Sequence, residues 1–281
     1  MADATCTNVP WQHVRIPPFP QTALRVLQLA AKESVPMNQL SALVSADPAF
    51  ASEVLTIVNS LVYAPRFPIH SILQALAVIG ANHLQGVCLA VGVRGYLAQH
   101  LRQADVQAMW RHNLACAAVA ELLATAGFLD RDVAFSCGVM HDIGRVALAV
   151  ICHQQYAELA TTFHGPSESS LEREREVFGV DHCEIGLRLV KEWRLPEDFE
   201  PMIARHHDVY KKGDPWTMAA LIQISCRMAD TAGFPAFQGV EPQPYPELVE
   251  LLPEHERRHF FPDIESLRTE VGRKILAVEL I

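Results

Sequence analysis

The sequence of 281 residues lacks the patterns that identify several classes of protein. No segment alternates apolar and polar residues between turn signals, and only 7% of the residues are aromatic, so we predict an all-α fold. The seven cysteines form no C-x-x-C pair, and we expect reduced core thiols of a cytoplasmic protein. The first residues carry neither the basic region nor the apolar run of a secretory signal.

Positive charge is also scarce. The formal net charge is −9, and residues 33–64 contain no Lys or Arg. Residues 37–45 and 47–60 superficially suggest a helix-turn-helix, but a recognition helix without a basic residue is a poor match for a phosphate backbone. We therefore expect no nucleic-acid partner. Residues 67–93 lack charged side chains, yet prolines, histidines and amides interrupt them, so we expect no membrane span.

Helix signals recur along the whole chain. Prolines at 17, 18 and 20 delay the first helix to Gln21, and Asp47-Pro48 is a good start for another helix. Gly144 predicts a bend or a break in its segment, and residues 171–177 are charged enough to predict an exposed helical piece. The predicted helices begin at 21 and then span 38–45, 47–60, 71–79, 82–100, 105–126, 131–153, 171–177, 181–193, 195–207, 215–232 and 264–278.

Four residues of types that can bind cations interrupt apolar segments of the sequence. His141 and Asp142 are adjacent inside residues 138–148, while His112 and Asp230 lie on the apolar faces of their own predicted helices. A buried charge needs a partner, and each of these side chains could find a local one. Convergence on one cation explains all four at once. Nitrogen and oxygen donors together suit Zn, Mn, Fe or Co.

The order His, His-Asp, Asp resembles the metal-binding signature of the HD phosphohydrolase superfamily. Its two-metal HD-GYP branch adds a lone His and a His-His pair, which correspond here to His182 and to His206 with His207. The resemblance implies one or two divalent transition-metal ions, bridged by Asp142 where two are bound. The ligands that it implies are His112, His141, Asp142, His182, His206, His207 and Asp230.

Further segments narrow the resemblance to the HDOD family. They are Ile16-Pro17-Pro18-Phe19-Pro20, Asp47-Pro48-Ala49, Asn59-Ser60 with Tyr63, and residues 179–186 with Trp193 and Leu195-Pro196. This family implies a two-part helical bundle, with a five-helix N-terminal half at 16–103 and an HD-like metal-binding core at 104–235. Residues 1–15 would then be an extension and 236–281 a helical tail.

Two departures from the HD-GYP pattern bear on function. No Gly-Tyr-Pro loop follows His206-His207. Arg145 stands in place of the expected lysine, and an arginine keeps the positive charge that can bind phosphate but cannot donate a proton. The resemblance to HDOD proteins implies a bacterial signal-transduction protein that acts through a protein partner. The alternative is a metal-dependent phosphohydrolase acting on a phosphodiester, a nucleotide or another phosphorylated small molecule. In that case Asp142 and Arg145 would be catalytic residues.

Overall fold

The structure, a computed structural model, describes residues 11, 14, 16–30, 36–60, 63–125, 129–257 and 263–279. Within those residues all regular secondary structure is helical, apart from an isolated bridge between Gly165 and Val240. The prediction of an all-α fold is confirmed. The division at 103/104 and 235/236 stays a prediction.

The N-terminal half follows the predicted start and stop signals closely. Its helices are α1 (Gln21–Ala30), α2 (Met37–Ser45), α3 (Pro48–Val58), α4 (Ile72–Ile79) and α5 (Ala81–Leu97). Asp47 caps α3 by accepting from the backbone N–H of Phe50, as the Asp-Pro pair predicts. Gly80, with φ of 82°, separates α4 from α5.

The C-terminal half is built around its longest helix. The helices here are α6 (Ala104–Thr125), α7 (Arg131–Met140), α8 (Ile143–Ile151), α9 (His153–Thr162), α10 (Ser170–Phe178), α11 (His182–Trp193), α12 (Glu200–Arg205), α13 (Met218–Thr231), α14 (Tyr245–Leu251), α15 (Glu254–Arg257) and α16 (Ile264–Glu279). Helix α6 packs against α7, α13 and α16, and α8 packs against α11. Helix α5 contacts both α1 and α7, which joins the two halves.

The helix predicted over 131–153 is interrupted as expected, but the predicted position of the interruption is wrong. The helix ends at Met140 and a new one begins at Ile143, so the break falls at His141 and Asp142 rather than at Gly144. Gly144 instead permits close packing, since a Cβ there would lie 1.8 Å from the carbonyl oxygen of His182 on α11. Helix α9 was not predicted, because Cys152 is the only residue between it and α8.

Other details also differ from the prediction. A 3₁₀ turn at Glu197–Phe199 precedes α12, and Thr217 rather than Pro215 caps α13. Residues 171–177 are not simply exposed, because Glu174 on α10 has no solvent-accessible surface. Residues 126–128, where α6 was predicted to end, lie outside the described residues.

The cysteines and the apolar helices also test earlier expectations. Five cysteines are free and buried, as predicted, namely Cys88, Cys116, Cys137, Cys183 and Cys226. The prediction is wrong for Cys152, which is disulfide-bonded, and Cys6 lies outside the described residues.

Among the described residues, the segment Arg131–Ile151 is long and apolar enough to cross a membrane, but 89% of an apolar 18-residue stretch within it is buried inside the protein. The bent pair α2 and α3 is also long and apolar enough if it is taken as one broken span.

We expect Gly144→Ala to lower the free energy of unfolding by about 3 kcal/mol or more, because the added Cβ must displace backbone of α11. Gly272→Ala is the matched control, since it lies inside α16 with open space around it. It should stabilise the protein by about 0.5–1 kcal/mol. Urea unfolding measures both changes. Equal stability of the two variants would show that α8 and α11 do not pack this closely.

Candidate metal centre

The seven predicted ligands converge from five places in the C-terminal half. His112 lies on α6, His141 and Asp142 form the break between α7 and α8, and His182 begins α11. His206 and His207 directly follow α12, and Asp230 is near the end of α13. All are buried except His207, which is half-buried. The structure therefore brings together residues up to 118 positions apart, as the proposed common cation requires.

Four of these residues form a compact set of donor atoms, here called the three-histidine group: Asp142, His182, His206 and His207. Asp142 Oδ1, His182 Nε2 and His206 Nε2 make a triangle with every side 3.1 Å long. His207 Nε2 lies 3.1 Å from His182 Nε2. The triangle is small enough for all its donor atoms to contact one ion.

A second set of donors lies on the other side of Asp142 and is called here the cysteine group: His112, His141 and Cys226. Asp142 Oδ2 lies 3.7 Å from His141 Nε2 and 4.0 Å from His112 Nε2. The two oxygens of Asp142 thus face different groups. Asp230 adjoins the cysteine group, with its Oδ1 3.2 Å from His112 Nδ1.

Hydrogen bonds outside the cluster orient the imidazoles. The Nδ1 atoms contact Phe234 O at 2.9 Å (His112), Gly138 O at 2.7 Å (His141), Ile203 O at 3.0 Å (His206) and Glu174 Oε2 at 2.6 Å (His182). Carbonyl and carboxylate oxygens only accept, so each Nδ1 carries a proton and donates it outward. Each ring therefore turns its Nε2 atom inward, and in the neutral form that atom carries the lone pair of a metal-binding histidine.

These inward atoms lack the partners that buried polar groups need. His141 Nε2 and Asp230 Oδ1 are buried without a hydrogen-bond partner. Although Asp230 Oδ1 is within 3.2 Å of His112 Nδ1, that N–H points at Phe234 O instead. Burial lowers the pKa of His141 and of His207 well below the ordinary value of 6.5, so both are neutral at neutral pH. Orphaned donors of this kind fit a metal ion.

Both groups attract positive charge. Burial and Arg145 lower the pKa of His182, but Glu174 and Asp142 outweigh them and raise it well above its ordinary value. Burial lowers the pKa of His112, but Cys226 and Asp230 outweigh it in the same way. Each group therefore holds a proton strongly in the absence of a metal. A divalent cation would displace that proton.

Arg145 links the cluster to α10. Its guanidinium donates to Asp142 Oδ2 at 2.5 Å, to Glu174 Oε1 at 3.0 Å and to Ser170 Oγ at 3.1 Å. The side chain is only 2% exposed. Burial raises the pKa of Asp142 and of Glu174, but Arg145 and the histidines outweigh it and hold both below their ordinary values. This is the geometry of a positioning residue, and phosphate binding by Arg145 stays a prediction.

Two residues of the cluster were missed by sequence reasoning. Glu174 lies on the face of α10 that also buries Ser170 and Phe178, and that i, i+4 spacing was a weak signal. Cys226 precedes Asp230 by one helical turn on α13, so the two share a face. Only the packing of α13 against α6 brings Cys226 to His112.

The helical fold and the His/Asp cluster define an HD-type helical protein. Residues 16–209 match the HDOD domain model, and the chain belongs to the HDOD family. It is also 26% identical over 205 residues to an uncharacterized protein of Treponema pallidum (strain Nichols). That alignment covers 69% of this chain and 38% of the Treponema protein.

Solved structures share the fold. An HDOD domain protein of unknown function from Geobacter sulfurreducens has a TM-score of 0.71 at 22% identity, covering 95% of this chain and 93% of that one. A proposed signal transduction protein from Marinobacter aquaeolei VT8 has a TM-score of 0.70 at 20% identity, covering 94% and 59%. A proposed metal-dependent phosphohydrolase from Shewanella amazonensis SB2B has a TM-score of 0.67 at 18% identity, covering 95% and 94%. At these identities the likeness shows the fold alone.

We expect Arg145→Met to lower the free energy of unfolding at pH 7 by about 3 kcal/mol or more, because it removes the buried guanidinium that pairs with two buried carboxylates, Asp142 and Glu174. Arg145→Lys should cost less, since it keeps the charge but loses the planar fork. Arg173→Met is the control, because Arg173 pairs with Glu176 at the surface of the same region and should cost under about 1 kcal/mol. Urea unfolding in the presence of a chelator measures these values without metal.

The same comparison has a definite pH dependence. The pKa values of Asp142 and Glu174 are depressed in the folded protein, so Arg145 stabilises it fully above their ordinary values of 3.8 and 4.5. That stabilisation is lost as the pH falls through the lower folded values. The difference between wild type and Arg145→Met should shrink in acid. A difference that grows in acid would contradict the assigned ionisation.

Proposed function

We propose that this chain is a regulatory protein of bacterial signal transduction whose HD-like core holds one or two divalent transition-metal ions. The observation that carries the proposal is the convergence of buried Nε2 atoms and carboxylate oxygens, among which His141 Nε2 and Asp230 Oδ1 have no hydrogen-bond partner. The ligands would be His112, His141, Asp142, His182, His206, His207 and Asp230. Imidazole and carboxylate donors suit Fe, Mn, Zn or Co.

Donor spacing supports an ion in the three-histidine group. Two adjacent ligands of an octahedral ion with bonds of about 2.1 Å lie about 3.0 Å apart. The triangle of Asp142 Oδ1, His182 Nε2 and His206 Nε2 has sides of 3.1 Å. Those atoms could bind one face of such an ion with little movement. Where two ions are bound, Asp142 would be the ligand that they share.

Burial favours regulation over hydrolysis. Asp142 and His182 have no accessible surface, and every donor nitrogen group of Arg145 is already bonded inside the protein. A cavity of about 270 Å³ lies near the His206-His207 segment, lined among others by Arg205, Tyr210 and Thr217. None of the seven predicted ligands lines it. On this reading the metal stabilises the C-terminal half, and a partner protein binds at the surface.

Metal-dependent phosphohydrolysis is the second candidate, and the opposed oxygens of Asp142 favour it. A pair of bound ions would supply an activated water and a clamp for a phosphate oxygen. Asp142 would hold the ions together, and half-buried His207 would lie nearest to an incoming phosphodiester or nucleotide. The solved relative from Shewanella amazonensis is a proposed metal-dependent phosphohydrolase, which is consistent with this alternative.

Other aspects of the proposal rest on charge and on the family. We expect a cytoplasmic protein with a protein partner, since the Marinobacter aquaeolei relative is a proposed signal transduction protein. The net charge of −9 supports the expectation that nucleic acid is not the partner.

Metal analysis tests the proposal. Protein purified without chelator should contain one or two transition-metal ions per chain, and Asp142→Asn should bind them more than about ten-fold more weakly. Asp198→Asn, at an exposed position outside the cluster, should retain the wild-type content. A metal-free wild-type protein, or equal metal content in Asp142→Asn, would refute the metal centre.

A substrate panel then separates the two functions. Metal-loaded protein should not turn over phosphodiesters or nucleotides if the centre is regulatory. Turnover that disappears in both His141→Ala and Asp142→Asn would instead establish the hydrolase alternative. Turnover that survives both changes would indicate a contaminating enzyme.

A further inference from the structure

Cys226 occupies a position that its burial alone does not explain. It lies on α13 one turn before Asp230, and its side chain is turned into the cluster, with 4% exposure. Its Sγ is 3.4 Å from Nε2 of His112, on the facing helix α6. The thiol thus meets the inward Nε2 atom of a histidine whose Nδ1 already contacts Phe234 O.

The contact distance fits two ligands of one ion. A tetrahedral ion with bonds of about 2.05 Å to nitrogen and 2.3 Å to sulfur places these atoms about 3.6 Å apart. A thiol hydrogen bond to His112 would also fit 3.4 Å. That bond, however, leaves His141 Nε2 and Asp230 Oδ1 buried without hydrogen-bond partners.

The unpartnered atoms point to a ligand independently of the cysteine. His141 Nε2 lies within 4.8 Å of both the His112 and Cys226 donor atoms, and His141 itself is fully buried. Asp230 Oδ1 lies beside this group, 3.2 Å from Nδ1 of His112. One cation among the donor atoms of His112, His141 and Cys226 would satisfy the lone pair of His141 and the thiol together.

We propose that Cys226 binds metal as a thiolate and that the cysteine group is a soft site that takes Zn²⁺, Co²⁺ or Fe²⁺ in preference to Mn²⁺ or Mg²⁺. This inference rests on the proposed metal centre. When the metal–sulfur bond forms, the S–H bond breaks heterolytically and the proton leaves to solvent, so no redox partner is needed. The three-histidine group, with only nitrogen and oxygen donors, lacks this preference.

Cobalt exchange into the full chain tests the assignment, because thiolate bound to Co²⁺ gives a near-ultraviolet charge-transfer band that nitrogen and oxygen ligands do not give. Wild-type protein should show this band together with visible d–d absorption. Cys226→Ser should lose the charge-transfer band and retain d–d absorption from the three-histidine group. Cys116→Ser should keep both, since the buried thiol of Cys116 on α6 donates to Ile222 O and not to the cluster.

The outcomes separate this inference from the metal centre itself. Visible cobalt absorption without a charge-transfer band in the wild type would overturn the thiolate ligand and leave the metal centre standing. A band that survives in Cys226→Ser, or disappears in Cys116→Ser, would also overturn it, by assigning the sulfur elsewhere. If no cobalt binds to the wild-type chain, the proposed metal centre fails and this inference fails with it.

Discussion

The ionised carboxylate of Asp142 lies in the apolar centre of the C-terminal half, and the rest of the site is arranged around it. An unpaired charge in such a place is strongly destabilising. The guanidinium of Arg145 forms an ion pair with Oδ2, and it forms a second ion pair with the carboxylate of Glu174. Oδ1 faces His182 and His206, whose own hydrogen bonds turn their Nε2 atoms toward it. The proposed divalent ion would complete this arrangement, because it would supply positive charge among the inward nitrogen and oxygen atoms.

Helix ends place these donors. The chain breaks between α7 and α8 at His141 and Asp142, so both adjacent side chains can face the cluster, which a continuous helix would not allow. Asp181 and Glu184 form a capping box that fixes His182 as the first residue of α11. The backbone N–H of His182 donates to Glu174, which ties α11 to α10. The absence of a side chain at Gly144 lets α8 approach closely enough to complete the cluster.

Much of this could be predicted from the sequence, since His112, His141, Asp142 and Asp230 each interrupt an apolar pattern and Asp-Pro, Gly and Asp caps mark helix ends. The contributions of Glu174 and Cys226 could not, because both depend on how helices pack. Glu174 belongs to a highly charged helix in which one buried carboxylate resembles its exposed neighbours. Cys226 resembles an ordinary core thiol until α13 lies against α6. The break was predicted at Gly144 and lies at His141 and Asp142 for the same reason. Close packing against α11, rather than a bend in the helix, requires the glycine at position 144.

Anomalous diffraction from crystals of protein purified without chelator, recorded at the absorption edge of the bound metal, tests the central claim most directly. The account predicts one peak within bonding distance of Asp142 Oδ1 and the three-histidine group. With two ions bound, a second peak should lie about 3.5–4 Å away on the Oδ2 side, beside His112 and His141. An anomalous map without a peak in this cluster, with the histidines hydrogen-bonded to one another or to water, would contradict the account.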